Sequence, residues 1–183
     1  SISSANFRGC LDTDLGFFCN RIPKAANSTV VTTLARIKFG RDIPSKEAKK
    51  MFRTPADLSR HELTKIPGMF KFTVVRNPYT RTLSAYLDKV ERRALRRNRE
   101  TSFREFLYFL KDGRLYSNGH WAPQSSLLLL PFKMFDYIGK VETLDTDLPL
   151  IEEKVQGFPP SEHFKSFLRN ATGANEKMSV YYD

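Results

Sequence analysis

Two segments of this chain run from a short apolar strand through a tight polar loop directly into a helical stripe. That repeated order constrains the fold more than any other feature. In the first, "GFFCNRI" (16–22) is an apolar run of strand length, and Pro23 ends it. Val30, Val31, Leu34, Ala35 and Ile37 then recur at helical spacing, and Gly40 is placed to cap that helix. In the second, "KFTVVR" (71–76) reads as a strand. Asn77 is a good N-cap, Pro78 a good first helical residue, and Leu83, Tyr86, Leu87, Val90 and Ala94 form the stripe. A third strand is expected in "FDYIGKVETL" (135–144), leaving into a helix over about residues 145–156. "TSFREFLYFLKDG" (101–113) opens on a Ser/Thr cap signal and closes on Gly113, so it reads as a helix. Residues 41–68 are polar and basic, with a short helix expected from Ser59 to Ile66. The alternation predicts an α/β layered fold with a mainly parallel sheet. Ligands of such sheets sit at the carboxyl ends of the strands, where both tight loops, 23–29 and 76–80, would lie.

A chain of 183 residues with 40% hydrophobic residues and 15 phenylalanines is long and apolar enough for one domain with a real core. We read residues 1–183 as that single domain, with the native chain free to extend beyond either end. No apolar run reaches the ~20 residues that cross a bilayer, although an anchor removed from the N-terminus stays open. The 30 Lys and Arg against 20 Asp and Glu leave a net charge of +10. That excess calls for an anionic partner without choosing among nucleotide, nucleic acid, acidic polysaccharide and membrane surface. Cys10 and Cys19 fit no zinc spacing, and they read either as a disulfide or as two free thiols. No convincing metal cluster is expected. Asn27-Ser28-Thr29 and Asn170-Ala171-Thr172 match the glycosylation sequon.

The loop Pro23-Lys24-Ala25-Ala26-Asn27-Ser28-Thr29 places backbone N–H groups at a helix N-terminus, which is an anion site. Lys24 adds a full positive charge, and Ser28 and Thr29 add hydroxyls. The glycine spacing of an ATP-binding loop is missing, and no strand ends in an acidic residue placed to hold Mg²⁺. A plain strand-to-helix connection with an incidental lysine is the competing reading. In the second loop Arg76 ends an apolar strand immediately before a helix, and its planar fork suits phosphate; Ser84 follows two turns into that helix. Two anion-suited loops at one sheet edge imply one ligand with two separate anionic groups.

"IPKAANST" resembles the 5′-phosphosulfate-binding loop of sulfotransferases, and "FKFTVVRNPYTRTLSAYLDK" (70–89) is similar to their 3′-phosphate-binding segment. "HWAPQSSLL" followed by "FDYIGKVETLDTDL", and "NAT" at 170–172, continue the likeness in the order of the carbohydrate sulfotransferases, nearest the chondroitin/dermatan 4-O-sulfotransferase type. The resemblance covers most of residues 17–172. It implies a three-layer, P-loop-like fold with a central sheet flanked by helices. It also implies 3′-phosphoadenosine 5′-phosphosulfate (PAPS) as sulfuryl donor, a sugar hydroxyl as acceptor, and direct transfer without metal. By resemblance Pro23, Lys24, Ala25, Ala26, Asn27, Ser28 and Thr29 hold the 5′-phosphosulfate, and Arg76 and Ser84 hold the 3′-phosphate. Lys24 would neutralise the leaving phosphate and His120 would act as general base. Arg93 and Arg97, within the basic run Arg92, Arg93, Arg96, Arg97 and Arg99, are candidate acceptor contacts with Trp121 and Gln124. The competing view of that run is a solvated helix face. His61 and His163 receive no role.

Two features separate this chain from Golgi members of the family. The segment after His-Trp, "SSLLLLPF", lacks their cysteine pair, and a sequon falls inside the donor loop. Both favour a bacterial-type cytoplasmic enzyme, with the Golgi lumen as alternative. The rival function is a non-catalytic basic module for anionic glycan or nucleic acid. No nucleic-acid partner is expected, because aromatic-rich nucleic-acid motifs are absent.

Overall fold

The computed structural model describes residues 8–92, 101–159 and 172–182. Strands β1 (Gly9–Asp12), β2 (Phe17–Asn20), β3 (Phe70–Val75) and β4 (Tyr137–Lys140) form one sheet in the order β1-β2-β3-β4. β2, β3 and β4 run parallel, while β1 pairs antiparallel with β2. The mainly parallel sheet is therefore present, with β2 and β4 shorter than the sequence pattern suggested and β3 of the expected six residues, shifted by one. β1 was not foreseen. It is only four residues long and too brief to show a period.

The two sheet faces are covered differently. Phe17, Cys19, Phe72 and Val74 face one layer, where they pack against helices α1 (Asn27–Phe39), α2 (Ser45–Met51) and α6 (Leu144–Gln156). The first half of α1 is buried on all sides, from Thr29 through Ala35. That burial explains how the β-branched run Thr29-Val30-Val31-Thr32-Thr33 is helical: packing outweighs weak propensity. Thr32 answers its own hydroxyl within the helix, donating to the carbonyls of Ser28 and Thr29. Gly40 caps α1 in the left-handed region, at φ 66°. The opposite face carries Leu11, Phe18 and Met69, covered by Leu58, Ile66, Leu129, Leu130 and Phe135. These come from irregular chain and short 3₁₀ turns rather than from long helices. The expected third layer is thus thinner and less regular than the first.

Helix α4 (Pro78–Tyr86) follows β3 as expected, with the Asn77 side chain accepting from the Tyr79 N–H. It then widens into a π-helical turn, Leu87–Glu91. Helix α5 (Phe103–Phe109) has the Ser102 capping box and ends four residues short of Gly113, in a second π turn, Leu110–Arg114. The short helix α3 covers Arg60–Leu63. α2 was not foreseen, because "SKEAKKM" shows no apolar stripe beyond Ala48 and Met51. A separate aromatic cluster joins α4 and α5 to the C-terminal helix α7 (Met178–Tyr182) through Tyr86, Phe103, Phe106 and Tyr181. Among the described residues no helix is long and apolar enough to cross a membrane.

Candidate active site

β2 and β3 are parallel neighbours, so the loops after them leave the sheet on the same edge. In the first loop Lys24 (φ 69°) and Ala26 (φ 52°) both adopt the left-handed conformation. Residues other than glycine sit there at a cost of ~1–3 kcal/mol, so the surroundings must impose it. Ala25 between them is buried with Ile22, Ala122 and Leu127, and its N–H bonds the Ile22 carbonyl at 3.2 Å. Arg81 donates to the Pro23 carbonyl and Arg76 to the Lys24 carbonyl. The glycines missing from the sequence are replaced by this packing. Left-handed residues of this kind occur in the backbone concavities that bind anions, although the Ala25 N–H here is committed to Ile22. α1 then begins at Asn27 with no side-chain cap and no acidic residue in its first turn. Its N–H groups and dipole are thereby open to an external anion.

Cations surround this loop. Lys24 Nζ lies 3.0 Å from Asp88 Oδ2, and Lys49 Nζ donates to Ser28 Oγ at 3.0 Å. Asp88 also meets Lys89 at 3.1 Å and Arg92 at 3.2 Å. Burial alone would raise the Asp88 carboxyl, but the hydrogen bonds from Lys24 and Lys89 outweigh it and bring it down to about 2. Lys24 moves below the usual lysine range, first through burial and further through Lys89 and Arg76, against the pull of Asp88.

The second loop is fixed on several sides. Gln124 accepts from the Arg76 N–H at 2.9 Å and donates to its carbonyl at 2.7 Å. The Arg76 guanidinium reaches Thr80 Oγ1 (3.1 Å), the Lys24 carbonyl (3.4 Å) and Asn175 Oδ1 (2.9 Å). The structure therefore brings Arg76 and the Lys24 loop together. Ser84 is buried and accepts from Thr172 Oγ1 at 3.0 Å. The segment from Thr172 thus lies directly against the Arg76–Ser84 pair. Gln124 was expected on the acceptor side, yet both ends of its amide are engaged by the Arg76 main chain. Arg93 and Arg97 lie outside the described residues.

Arg81 was missed by sequence reasoning. It is 2% exposed and donates to the carbonyls of Pro23 (3.0 Å), Ala122 (2.8 Å) and Gly119 (2.9 Å). One guanidinium so ties the first loop to α4 and to the His120 segment. Burial, then Arg76, lowers it to about 10, so it stays cationic at neutral pH. A signal existed: Asn77, Arg81, Ser84 and Asp88 recur every three or four residues, opposite the apolar Leu83, Tyr86 and Leu87.

His120 is half-buried, and its Nδ1 lies 2.8 Å from Asn118 Oδ1. That oxygen also accepts the His120 backbone N–H. An amide oxygen only accepts, so Nδ1 carries the proton and Nε2 the lone pair. Burial first, then the charges of Lys89 and Lys24, lower the imidazole to about 4, so it is neutral at pH 7. The Trp121 indole donates to the Arg114 carbonyl at 3.1 Å and stacks edgewise on Phe106 and Phe109. Cys10 and Cys19 face each other across β1 and β2 as buried free thiols.

A strand–loop–helix connection with an uncapped helix start is thus joined to a second, arginine-bearing loop, and Arg81 ties both to the segment that carries His120. The sulfotransferase family model matches residues 10–182, and the chain belongs to that family. Membership supports sulfuryl transfer in general, with PAPS the donor typical of the family. No solved structure matches the chain closely enough to carry a comparison.

Proposed function

We propose that this chain is a PAPS-dependent O-sulfotransferase acting on a carbohydrate hydroxyl, with a P-loop-like donor site. The observation that carries the reading is the joined pair of loops: Arg76 contacts the Lys24 carbonyl while α1 presents an uncapped N-terminus beside it. The residues present fit the donor. Pro23 to Thr29 form a cradle for the 5′-phosphosulfate, and Arg76 and Ser84, backed by Thr172 and Asn175, form a place for the 3′-phosphate.

When bound, the donor supplies the sulfuryl group and leaves as the 3′,5′-bisphosphate, with the electron pair of the broken S–O bond on its 5′-phosphate. Lys24 exchanges Asp88 for that phosphate and neutralises the charge developing there. His120 accepts the acceptor hydroxyl's proton on Nε2 as the new O–S bond forms. Arg81 holds the His120 segment and the Lys24 loop in one frame, because its donors reach carbonyls of both. Gln124 positions Arg76. Trp121 supports the sugar side: it packs on Phe109, which lines a shallow surface depression with Tyr108, Lys111 and Asp112. Aromatic walls with a few polar groups suit a sugar face. Arg93 and Arg97, outside the described residues, remain candidate contacts to anionic polysaccharide on the sequence alone.

The test is transfer of radiolabelled sulfate from PAPS to a panel of neutral and acidic glycans. Activity on at least one glycan, abolished in Lys24→Ala, is expected. Binding of glycans without any transfer from PAPS would replace the enzyme with a non-catalytic basic module.

A further inference from the structure

We propose that Lys49, on α2, is a second donor-binding cation, placed to hold the 5′-phosphosulfate together with Ser28 and the first turn of α1. The proposal rests on the reading of the site as a PAPS site and deepens it. Lys49 is half-buried, and its Nζ donates to Ser28 Oγ at 3.0 Å. Other partly buried lysines here have carboxylates: Lys24 pairs with Asp88, Lys38 with Asp12, Lys71 with Asp136. Lys49 has no such partner among the described residues. Burial first, then the positive charges of Arg21 and Lys89, lower its pKa. A cation kept beside the positive end of a helix and next to two further cations is unfavourably placed until an anion arrives.

The fold holds it there firmly. Ala48, the preceding residue, is fully buried in the core under α1, so the α2 backbone is anchored at this point. The hydrogen bond also changes what Ser28 can do. Lys49 occupies a lone pair of the hydroxyl, leaving the Ser28 O–H proton to point at a ligand. Lys24 and Lys49 then flank the helix N-terminus from two elements. Arg76 and Ser84 sit with Asn175 and Thr172, the group proposed for the 3′-phosphate, and Lys49 contacts none of them. The anion served by Lys49 is therefore the one at the 5′ end of the donor.

Three probes, titrated by competitive displacement against the full chain, test this: 3′-phosphoadenosine 5′-phosphate, adenosine 5′-phosphosulfate and adenosine 3′-phosphate. Lys49→Ala is expected to weaken the first two by roughly 10-fold or more, the scale of a charge-assisted hydrogen bond, and to leave the third unchanged. Lys49→Arg, which keeps the charge, should recover most of the loss. Circular dichroism and Tm, recorded for each variant, identify any that fails to fold, and Lys49→Gln replaces Lys49→Ala in that case. An equal loss for all three probes, or no loss for any, overturns the assignment of Lys49 while leaving the donor site standing. A wild-type chain that binds none of the three overturns the donor reading and Lys49 with it.

Discussion

His120 lies below the ordinary histidine range for a physical reason, its burial among Lys89, Lys24 and Arg81, and the consequence can be measured. The folded pKa of about 4 lies below the unfolded value of ~6.5, so the unfolded chain binds the proton more readily. The stability that follows is complete above pH ~6.5 and is lost as pH falls toward 4. Tm measured from pH 7 to 4 should therefore decline less steeply in His120→Asn than in wild type. An unchanged slope would show that His120 is not buried neutral. For catalysis, His120→Ala should lower kcat by roughly 10²–10⁴-fold with donor affinity retained. Near-normal turnover would remove it as the base. Asp88→Asn should tighten 3′-phosphoadenosine 5′-phosphate binding by about 2–5-fold, the worth of a partly exposed ion pair, because Lys24 no longer has to leave a carboxylate. Weaker binding would mean that Asp88 orients Lys24 for the donor rather than competing with it. At this scale Lys24 and Arg76 stand out in the sequence because they lie in loops that follow or end apolar strands, and His120 because of the block that resembles the family. Arg81 and Lys49 were not: a buried arginine bonded to three carbonyls and a lysine on a stripeless helix look like surface charge in one dimension.

Elements show the same division. Strand–loop–helix units announced themselves through apolar runs ending in cap and turn residues, and Asn77, Pro78 and Gly40 took the places their chemistry favours. The Asn77 cap should be worth ~1 kcal/mol, so Asn77→Ala is expected to lower the urea midpoint with an unchanged m-value. No change would mean that water caps α4 equally well. β1 and α2 gave no signal, being four and seven residues long and held by tertiary contacts. β1 relies on Gly9, where an added Cβ would run into the Pro55 ring, so close approach rather than strand propensity decides its sequence. The π turn after α4 was equally silent, since helical periodicity does not register a single wider turn.

For the molecule as a whole, a net charge of +10 named an anionic partner but not its place. The fold gathers cations at one edge: parallel β2 and β3 deliver Lys24 and Arg76 there, and α2, α4 and the π turn after it bring Lys49, Arg81 and Lys89 near. If the basic run beyond Arg92 is an acceptor surface, charge reversal at Arg93 and Arg97 should raise the acceptor KM several-fold and spare donor affinity. Unchanged acceptor kinetics would return those residues to the role of a solvated face. The central claim is that this edge is built for a nucleotide carrying two separate anions. Its most direct test is thermal stabilisation by 3′-phosphoadenosine 5′-phosphate compared with ATP-Mg²⁺ and heparin. At 100-fold excess over Kd a specific ligand contributes ~2.7 kcal/mol, a shift of several degrees in Tm. We predict that shift for 3′-phosphoadenosine 5′-phosphate and not for ATP-Mg²⁺. Stabilisation by heparin alone would contradict the account.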